Sequence, residues 1–435
     1  MKPVNIGLLG LGTVGGGTAT VLQDNAAEIS RRLGREVRIS AVCDLSEEKA
    51  KQICPNAAFI KDPFELVQHQ DVDIVVELFG GTSIAKDAVL KAIENGKHIV
   101  TANKKLLAEY GNEIFPLAEE KNVMVQFEAA VAGGIPIIKA LREGLAANQI
   151  RSIAGIINGT SNFILTEMRE KGSAFADVLK EAQALGYAEA DPTFDIEGHD
   201  AGHKITIMSA LAFGTPMNFS ACYLEGISKL DSRDIKYAEE LGYRIKLLGI
   251  TRKTDKGIEL RVHPTLIPES RLLANVNGVM NAVRVNADMV GETLYYGAGA
   301  GALPTASAVV ADIIDIARLL EAETDHRVPH LAFQPSQVRV QNILPMDEIT
   351  SGYYLRVQAT DEPGTLGQIA ALLAKENVSI EALIQKGVID QSTAEIVILT
   401  HTTVERNVKR AIAAIEALSC VDAPITMIRM ESLHD

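Results

Sequence analysis

Val4-Asn-Ile-Gly-Leu-Leu-Gly10-Leu-Gly12-Thr-Val-Gly15 decides the fold: an apolar run passes straight into Gly-x-Gly-x-x-Gly. A lone glycine pattern says little, but here it follows a strand-like stretch and opens a helical one. That context lets backbone N–H groups approach a pyrophosphate at a helix N-terminus, where the dipole favours negative charge. Gly10, Gly12 and Gly15 are therefore candidate dinucleotide contacts. An acidic residue closing the second strand commonly binds the ribose, usually about 20 positions on. Asp44 comes 34 positions after Gly10, because Asp24–Gly34 lengthens the first helix.

Outward from this stretch, short β-branched runs alternate with amphipathic ones. Strands are expected over Val4–Leu9, Val37–Cys43, Asp73–Leu78, His98–Thr101 and Val123–Phe127, and helices over Val14–Leu33, Ile84–Glu94 and Lys105–Lys121. This rhythm predicts a doubly wound, Rossmann-type parallel sheet over residues 1–130, completed by an apolar helix at 305–320. Residues 131–304 read as a mixed α+β domain for catalysis and dimerisation. Within it Gly, Asn and Thr cluster at Asn158–Asn162, Gly186–Gly198 is an acidic, turn-rich loop, and His199–Phe213 is an apolar helix. A linker with Pro329, Pro335 and Pro345 spans 321–350. From 351 to 435 the pattern strand, helix, two strands, helix, strand predicts a ferredoxin-like unit.

Composition narrows the function. Over 435 residues, 42 basic against 56 acidic side chains give a net charge of −14, which argues against nucleic acid and anionic membranes as partners. No apolar run approaches the roughly 18 residues of a membrane span, and the N-terminal apolar stretch is too short for a secretory signal. Cys43, Cys54, Cys222 and Cys420 form no C-x-x-C pair; they read as reduced thiols of a cytoplasmic protein.

Glu189, Asp191, Asp195, Glu197 and Asp200 crowd into twelve residues, and Lys204 follows Asp200 at i+4. On an exposed helix such a pair is an ordinary ion pair. The run after Lys204, Ile-Thr-Ile-Met-Ser-Ala-Leu-Ala-Phe, is apolar all round and predicts a buried helix instead. Reducing a carbonyl by hydride requires a proton donor for the developing alkoxide, and no zinc-ligand set is present. Lys204 is one candidate donor. Lys104, just after a strand of the parallel sheet, is the other, since ligands bind at the carboxyl ends of such strands. His199 and His203 read as structural.

The pattern Ala182-x3-Gly186-Tyr-Ala-x2-Asp191-Pro-x2-Asp195-Ile-x-Gly198-x-Asp200-x3-Lys204 resembles the signature of the homoserine dehydrogenase family. Gly10–Gly15, Thr101-Ala-Asn-Lys104, Asn158-Gly-Thr-Ser-Asn162 and Gly299-Ala-Gly301 are similar to that family as well. The tail, with Asp361-x-Pro-Gly364, resembles an ACT domain. The resemblance spans essentially the whole chain. It implies NAD(P)-dependent, reversible reduction of L-aspartate 4-semialdehyde to L-homoserine, in threonine, methionine and isoleucine biosynthesis. By the same resemblance Lys204 is the proton donor and Lys104 a second lysine near nicotinamide and substrate. Glu189, Asp195 and Asp200 hold the substrate amino group or position the lysine. Gly159, Thr160 and Tyr187 line the pocket, and Gly12, Thr13, Val14 and Gly301 touch the cofactor. The run Glu128-Ala-Ala-Val131-Ala-Gly133-Gly-Ile135 resembles a loop binding Na⁺ or K⁺ through carbonyls.

Use of both NADP and NAD is expected, Asp44 suiting a ribose hydroxyl. Family members imply a homodimer or homotetramer. The tail is expected to bind threonine through Gly364, at a helix start, and the facing loop Asn377, Ser379 and Ile380. A chain stopped near Ile349 is expected to keep its activity and lose that response. Two other readings compete with this one. An aldehyde-oxidising enzyme needs a nucleophilic cysteine, and none of the four has a convincing setting. A non-enzymatic regulator needs no lysine–acid cluster.

Overall fold

A computed structural model describes residues 2–323, 326–388 and 393–433. The chain forms two compact units, one of Met1–Gly159, Asp200–Cys222 and Val279–Gln341, the other of Thr160–His199, Tyr223–Gly278 and Asn342–Asp435. The stretch expected as a single catalytic domain, 131–304, thus contributes to both.

In the first unit, β1 (Val4–Leu9), β2 (Val37–Cys43), β3 (Ala58–Phe59), β4 (Ile74–Glu77), β5 (His98–Thr101) and β6 (Val125–Gln126) form a parallel sheet. Their order is β3-β2-β1-β4-β5-β6, the doubly wound arrangement in which the order of strand addition reverses between β1 and β4. Five strands lie where the apolar runs place them; the two-residue β3 is too short to register as a pattern. The expected first helix is two, Thr13–Asp24 and Ala26–Leu33, divided at Asn25. Ile6, Leu8, Val42, Ile74, Val76 and Val100 share one buried cluster with Val309, Ile313 and Ile316. The last three belong to the helix Ala302–Leu319, so a segment distant in sequence completes this core. It lies close: a Cβ on Gly17 would stand 2.6 Å from the Ala302 carbonyl oxygen. The same unit holds the antiparallel strands Ile150–Ile156, Met280–Ala287 and Gly291–Ala298, and the helix His199–Phe213, buried at every position from Asp200 onward. That helix follows directly from its all-round apolar sequence.

In the second unit runs most of the helix Gly159–Lys171, which the last four residues of the cluster Asn158–Asn162 open. Strands Tyr243–Thr254 and Gly257–Pro268 form a long antiparallel hairpin. The tail has the predicted ferredoxin-like order. Thr426–Met430 pairs antiparallel with Thr350–Thr360, which pairs with Thr393–Thr400, which pairs with Ile380–Val388. Tyr353, Leu355, Val357, Ile369, Leu373, Ile396, Ile398, Val408 and Ile415 fill its core.

The tail does not hang from a free linker. Thr426–Met430 also pairs parallel with Gly257–Pro268 through Thr265↔Arg429 and Leu266↔Met430. Ion pairs of buried arginines reinforce the tail's attachment: Arg261 to Glu431 at 2.5 Å, Arg429 to the part-exposed Glu225 at 2.6 Å and Arg356 to Asp234 at 2.6 Å. The end of the expected linker packs too, with Leu344, Met346 and Ile349 buried beside Tyr223.

Candidate active site

The order in which strands are added reverses between β1 and β4, and ligands of open parallel sheets bind outside the carboxyl ends at such a point. Gly10 follows β1 there with φ +93°, a conformation that L side chains rarely adopt. A Cβ on Gly15 would stand 2.0 Å from the Gly10 carbonyl oxygen, whereas one on Gly12 would meet nothing within 4 Å. The loop is therefore closed beneath by glycine and open above it. Gly12 precedes the helix Thr13–Asp24 without side-chain capping, so first-turn N–H groups can serve an anion. The Asp44 carboxylate accepts from Leu11 N at 2.7 Å and Ser46 N at 3.0 Å. It braces the glycine loop and retains lone pairs for a ribose hydroxyl. These residues fit a dinucleotide.

At the next strand ends, buried Glu77 accepts from Thr101 Oγ1 at 2.6 Å. Burial raises its pKa, against the hydrogen bonds from Thr101 and Asn103. Asn103 caps the following helix by accepting from Leu106 N at 3.0 Å, and donates to the Gly81 carbonyl at 2.7 Å. This frame fixes the first residue of the helix Lys104–Glu120, which is Lys104.

Lys104 Nζ lies 2.9 Å from Asp200 Oδ1. The other oxygen, Oδ2, accepts from Lys204 Nζ at 2.7 Å and Asn158 Nδ2 at 2.8 Å. Lys204 donates also to the Ile157 carbonyl at 2.6 Å. Burial of Asp200 opposes its charge, but the two ammonium groups outweigh it and hold its pKa well below the ordinary carboxylate value. The exposed ion pair weighed from the sequence is absent, since the Lys204 and Asp200 side chains are 10% and 4% exposed. Three segments far apart in sequence thus build one centre: a carboxylate holding two cationic donors. Such a centre stabilises and protonates a developing alkoxide.

The remaining acidic positions lie in the second unit. Glu189 and Asp191 are exposed, and Asp195 is half-buried. Asp191 accepts from the Thr193 hydroxyl at 2.6 Å, which makes it a local turn residue. Thr160 Oγ1 donates to the Tyr187 carbonyl at 2.7 Å, and Tyr187 packs edge-on against Phe163 with centroids 5.0 Å apart. Thr160 and Tyr187 are thereby joined, and Ser161 donates to the Asp195 carbonyl at 3.0 Å. Gly159 lies in the first unit, where a Cβ would stand 2.8 Å from the Val279 carbonyl oxygen. His199 stacks on Phe194, while His203 packs on Phe219 and stands 3.7 Å from Glu109.

Asn281 went unnoticed in the sequence, because a polar residue inside a strand-like run carries no motif. It is 1% exposed, and among the described residues neither amide atom has a hydrogen-bond partner. A Cβ on Gly299 would come within 2.1 Å of its amide, so it lies against the Gly299-Ala-Gly301 turn. Asn158, quoted only as part of a motif, directly contacts Asp200.

The proposed cation loop is buried except at Gly134. The Glu128 carboxylate accepts from Ile138 N at 2.9 Å and Lys139 N at 2.8 Å, and Asp312 accepts from Glu128 N at 2.8 Å. Burial pushes the Glu128 pKa up to about 7. Gly133 has φ +42° and abuts the Gly299 carbonyl. Among the described residues no group of three or more His, Cys, Asp or Glu is placed to hold a metal.

In the tail, Gly364 precedes the helix Thr365–Lys375, and Asn377, Ser379 and Ile380 follow it. Eleven residues at ~1.5 Å rise separate them by about 16 Å. Within one chain they therefore stand at opposite ends of that helix.

Residues 10–128 match the family model described as homoserine dehydrogenase, NAD binding domain. Residues 136–314 match the homoserine dehydrogenase model, and residues 353–420 the ACT domain. The chain is 90% identical over 435 residues to the homoserine dehydrogenase of Neisseria gonorrhoeae, covering all of both sequences. It is 56% identical over 437 residues to that of Pseudomonas aeruginosa, again covering both completely. The crystal structure of a homoserine dehydrogenase from Thiobacillus denitrificans superposes with a TM-score of 0.96 at 61% identity, covering 100% of this chain and 99% of that one.

Proposed function

Because the chain belongs to the homoserine dehydrogenase family, NAD(P)-dependent oxidoreductases, we propose that its catalytic centre is the Lys104–Asp200–Lys204 cluster. One observation carries this reading: a single buried carboxylate bridges both lysines. Lys204 donates the proton to the aldehyde oxygen of L-aspartate 4-semialdehyde and recovers it when L-homoserine is oxidised. Asp200 is the positioning residue that holds Lys204 against the Ile157 carbonyl. Lys104 adds positive potential at the end of β5, where nicotinamide and substrate meet. Glu189 and Asp195 supply carboxylates for the substrate ammonium, and Gly159, Thr160 and Tyr187 line its pocket.

Gly10, Gly12, Thr13, Val14, Gly15, Asp44, Lys104 and Gly301 hold the dinucleotide, which supplies the hydride chemistry. Asp44 supports the use of NAD beside NADP, since no basic residue takes its place. Glu128, Val131, Gly133 and Ile135 offer a carbonyl site for Na⁺ or K⁺. The enzyme works in the cytoplasm, consistent with Cys43, Cys54, Cys222 and Cys420 all being thiols; no helix among the described residues is long and apolar enough to cross a membrane. Its product feeds threonine, methionine and isoleucine biosynthesis.

The ACT unit binds threonine as a feedback inhibitor. Since Gly364 and Asn377–Ile380 lie at opposite ends of one helix, a site using both takes one end from each of two copies, which supports a homodimer or homotetramer. Incubation with homoserine and NAD⁺ or NADP⁺, read at the reduced-nicotinamide absorbance, tests the activity; no turnover with either cofactor refutes it. Millimolar L-threonine is expected to inhibit, and Asn377→Ala to relieve inhibition at unchanged basal rate. Equal inhibition of that variant would move threonine to another site.

A further inference from the structure

Arg429 lies on the last strand of the tail, is 1% exposed, and gathers carboxylates from two separate elements. Its Nε and Nη2 donate to Glu405 at 2.7 and 2.8 Å, a two-pronged pair with the first residue of the tail helix Glu405–Glu416. Its Nη1 donates to Glu225 at 2.6 Å, outside the tail. Tyr223 completes the hub. Its hydroxyl donates to the same Glu225 oxygen at 2.7 Å and accepts from Arg429 Nη2 at 3.2 Å, and the guanidinium lies 5.0 Å from its ring centroid. Burying such a group costs desolvation that apolar packing avoids. What it adds is direction, because a planar guanidinium fixes where each carboxylate stands.

Glu225 in turn opens a segment that presses on the acidic loop. Glu225 N donates to the Val262 carbonyl at 2.9 Å, and Ile227 N donates to the Ile196 carbonyl at 2.8 Å. Between them Gly226 meets the loop backbone directly: a Cβ there would stand 2.4 Å from the Ile196 carbonyl oxygen and 2.6 Å from Glu197 Cα. Gly198 ends the loop with φ +84°, and a Cβ on it would stand 3.0 Å from Val262 Cγ1. Ile196 directly follows Asp195 in the short helix Thr193–Ile196. All of these residues belong to the second unit.

We propose that Arg429 and Glu225 are positioning residues for homoserine binding. Their ion pair holds the segment 225–227 against Ile196 and Glu197, and so sets where Asp195 presents its carboxylate to the substrate ammonium. This rests on the assignment of Asp195 to that ammonium. The tail thereby acts on homoserine affinity through one ion pair and one backbone hydrogen bond, without reaching the substrate.

Steady-state homoserine oxidation by the full-length protein, with a Tm for each variant, tests this. Glu225 is the informative position. Its side chain is 34% exposed, and Arg429 keeps Glu405 when it is removed, so Glu225→Ala should fold. That variant should raise KM for homoserine at least about threefold, as for residues coupled in one network, with kcat and KM for the dinucleotide nearly unchanged. Glu225→Gln, whose amide oxygen can still accept from Arg429 and Tyr223, should recover part of the loss. Asp195→Asn should raise KM by itself, and adding Glu225→Ala to it should raise KM by less than about twofold more. A lower Tm with unaltered KM in Glu225→Ala would reduce the pair to a structural tie and overturn the proposal. Effects that multiply fully in the double variant would also overturn it. An unaltered KM in Asp195→Asn would refute the ammonium assignment and the proposal with it. That outcome is distinct from a raised KM there beside an unaltered one in Glu225→Ala, which overturns the positioning alone.

Discussion

Asp200 and Lys204 stand one helical turn apart, carboxylate 2.7 Å from ammonium, with both side chains almost wholly withdrawn from water. In solvent such a pair is worth little; buried, it fixes where a proton can be given and taken. Lys204→Ala is expected to lower kcat by ~10²–10⁴-fold, the usual range for lost acid–base help, with cofactor affinity nearly unchanged. A variant keeping most of its kcat would shift the donor role to Lys104.

The charge of Asp200 should show itself in the pH profile. Homoserine oxidation requires an uncharged proton acceptor, so its rate should rise from about pH 7 to 10. An adjacent anion favours the charged form of a lysine. Asp200→Asn removes that anion and should move the rising limb to lower pH while reducing the maximal rate. A merely structural Asp200 would lower the rate and leave the limb in place.

Glu189 is exposed, which leaves its carboxylate accessible to an incoming ammonium. Glu189→Gln keeps the shape and removes the charge, at a cost of ~1.5–3 kcal/mol for a charge-assisted bond. The effect should appear mainly in KM for homoserine, where ground and transition states share the contact. An unchanged kcat/KM would reduce this residue to part of a solvated loop.

Cutting the chain near Ile349 should not leave a working enzyme, contrary to the expectation from the sequence. The cut removes Thr426–Met430 from the edge of Gly257–Pro268 and exposes an aggregation-prone strand. In the intact chain, Asp234→Ala leaves Arg356 without its main anion and should cost ~3–5 kcal/mol, measured by urea unfolding. A soluble 1–349 fragment with undiminished thermal stability would show that the tail folds and acts independently.

Stability should also depend on Glu128 and Asp312. Burial is the largest cause for both: it pushes Glu128 up to about 7 and Asp312 well above its ordinary value. The folded chain then holds protons that the unfolded chain has released, so this contribution is complete below the ordinary carboxylate range. It is lost as pH rises toward 7. Asp312→Asn, whose oxygen can still accept from Glu128 N, should flatten the fall in Tm between about pH 5 and 8. An unaltered slope would remove the pair from the pH dependence.

Local periodicity alone determined five of the six parallel strands, the buried helix His199–Phe213 and the ferredoxin-like tail, because apolar spacing dictates which face each element must bury. The glycine loop was equally legible: Gly10 and Gly15 meet a backbone constraint that few other residues satisfy. The i+4 spacing of Asp200 and Lys204 placed them on one helix face, and the apolar run behind them predicted their burial. Tertiary structure alone decided that Lys104, Asn158 and the Ile157 carbonyl meet that pair, since they come from separate segments joined only by packing. It likewise decided that Thr426–Met430 pairs with the hairpin strand Gly257–Pro268, and that Gly364 and Asn377 stand at opposite ends of a helix. Spacing along a chain fixes the faces of single elements, whereas strand partners and buried charge networks depend on which distant surfaces exclude water together.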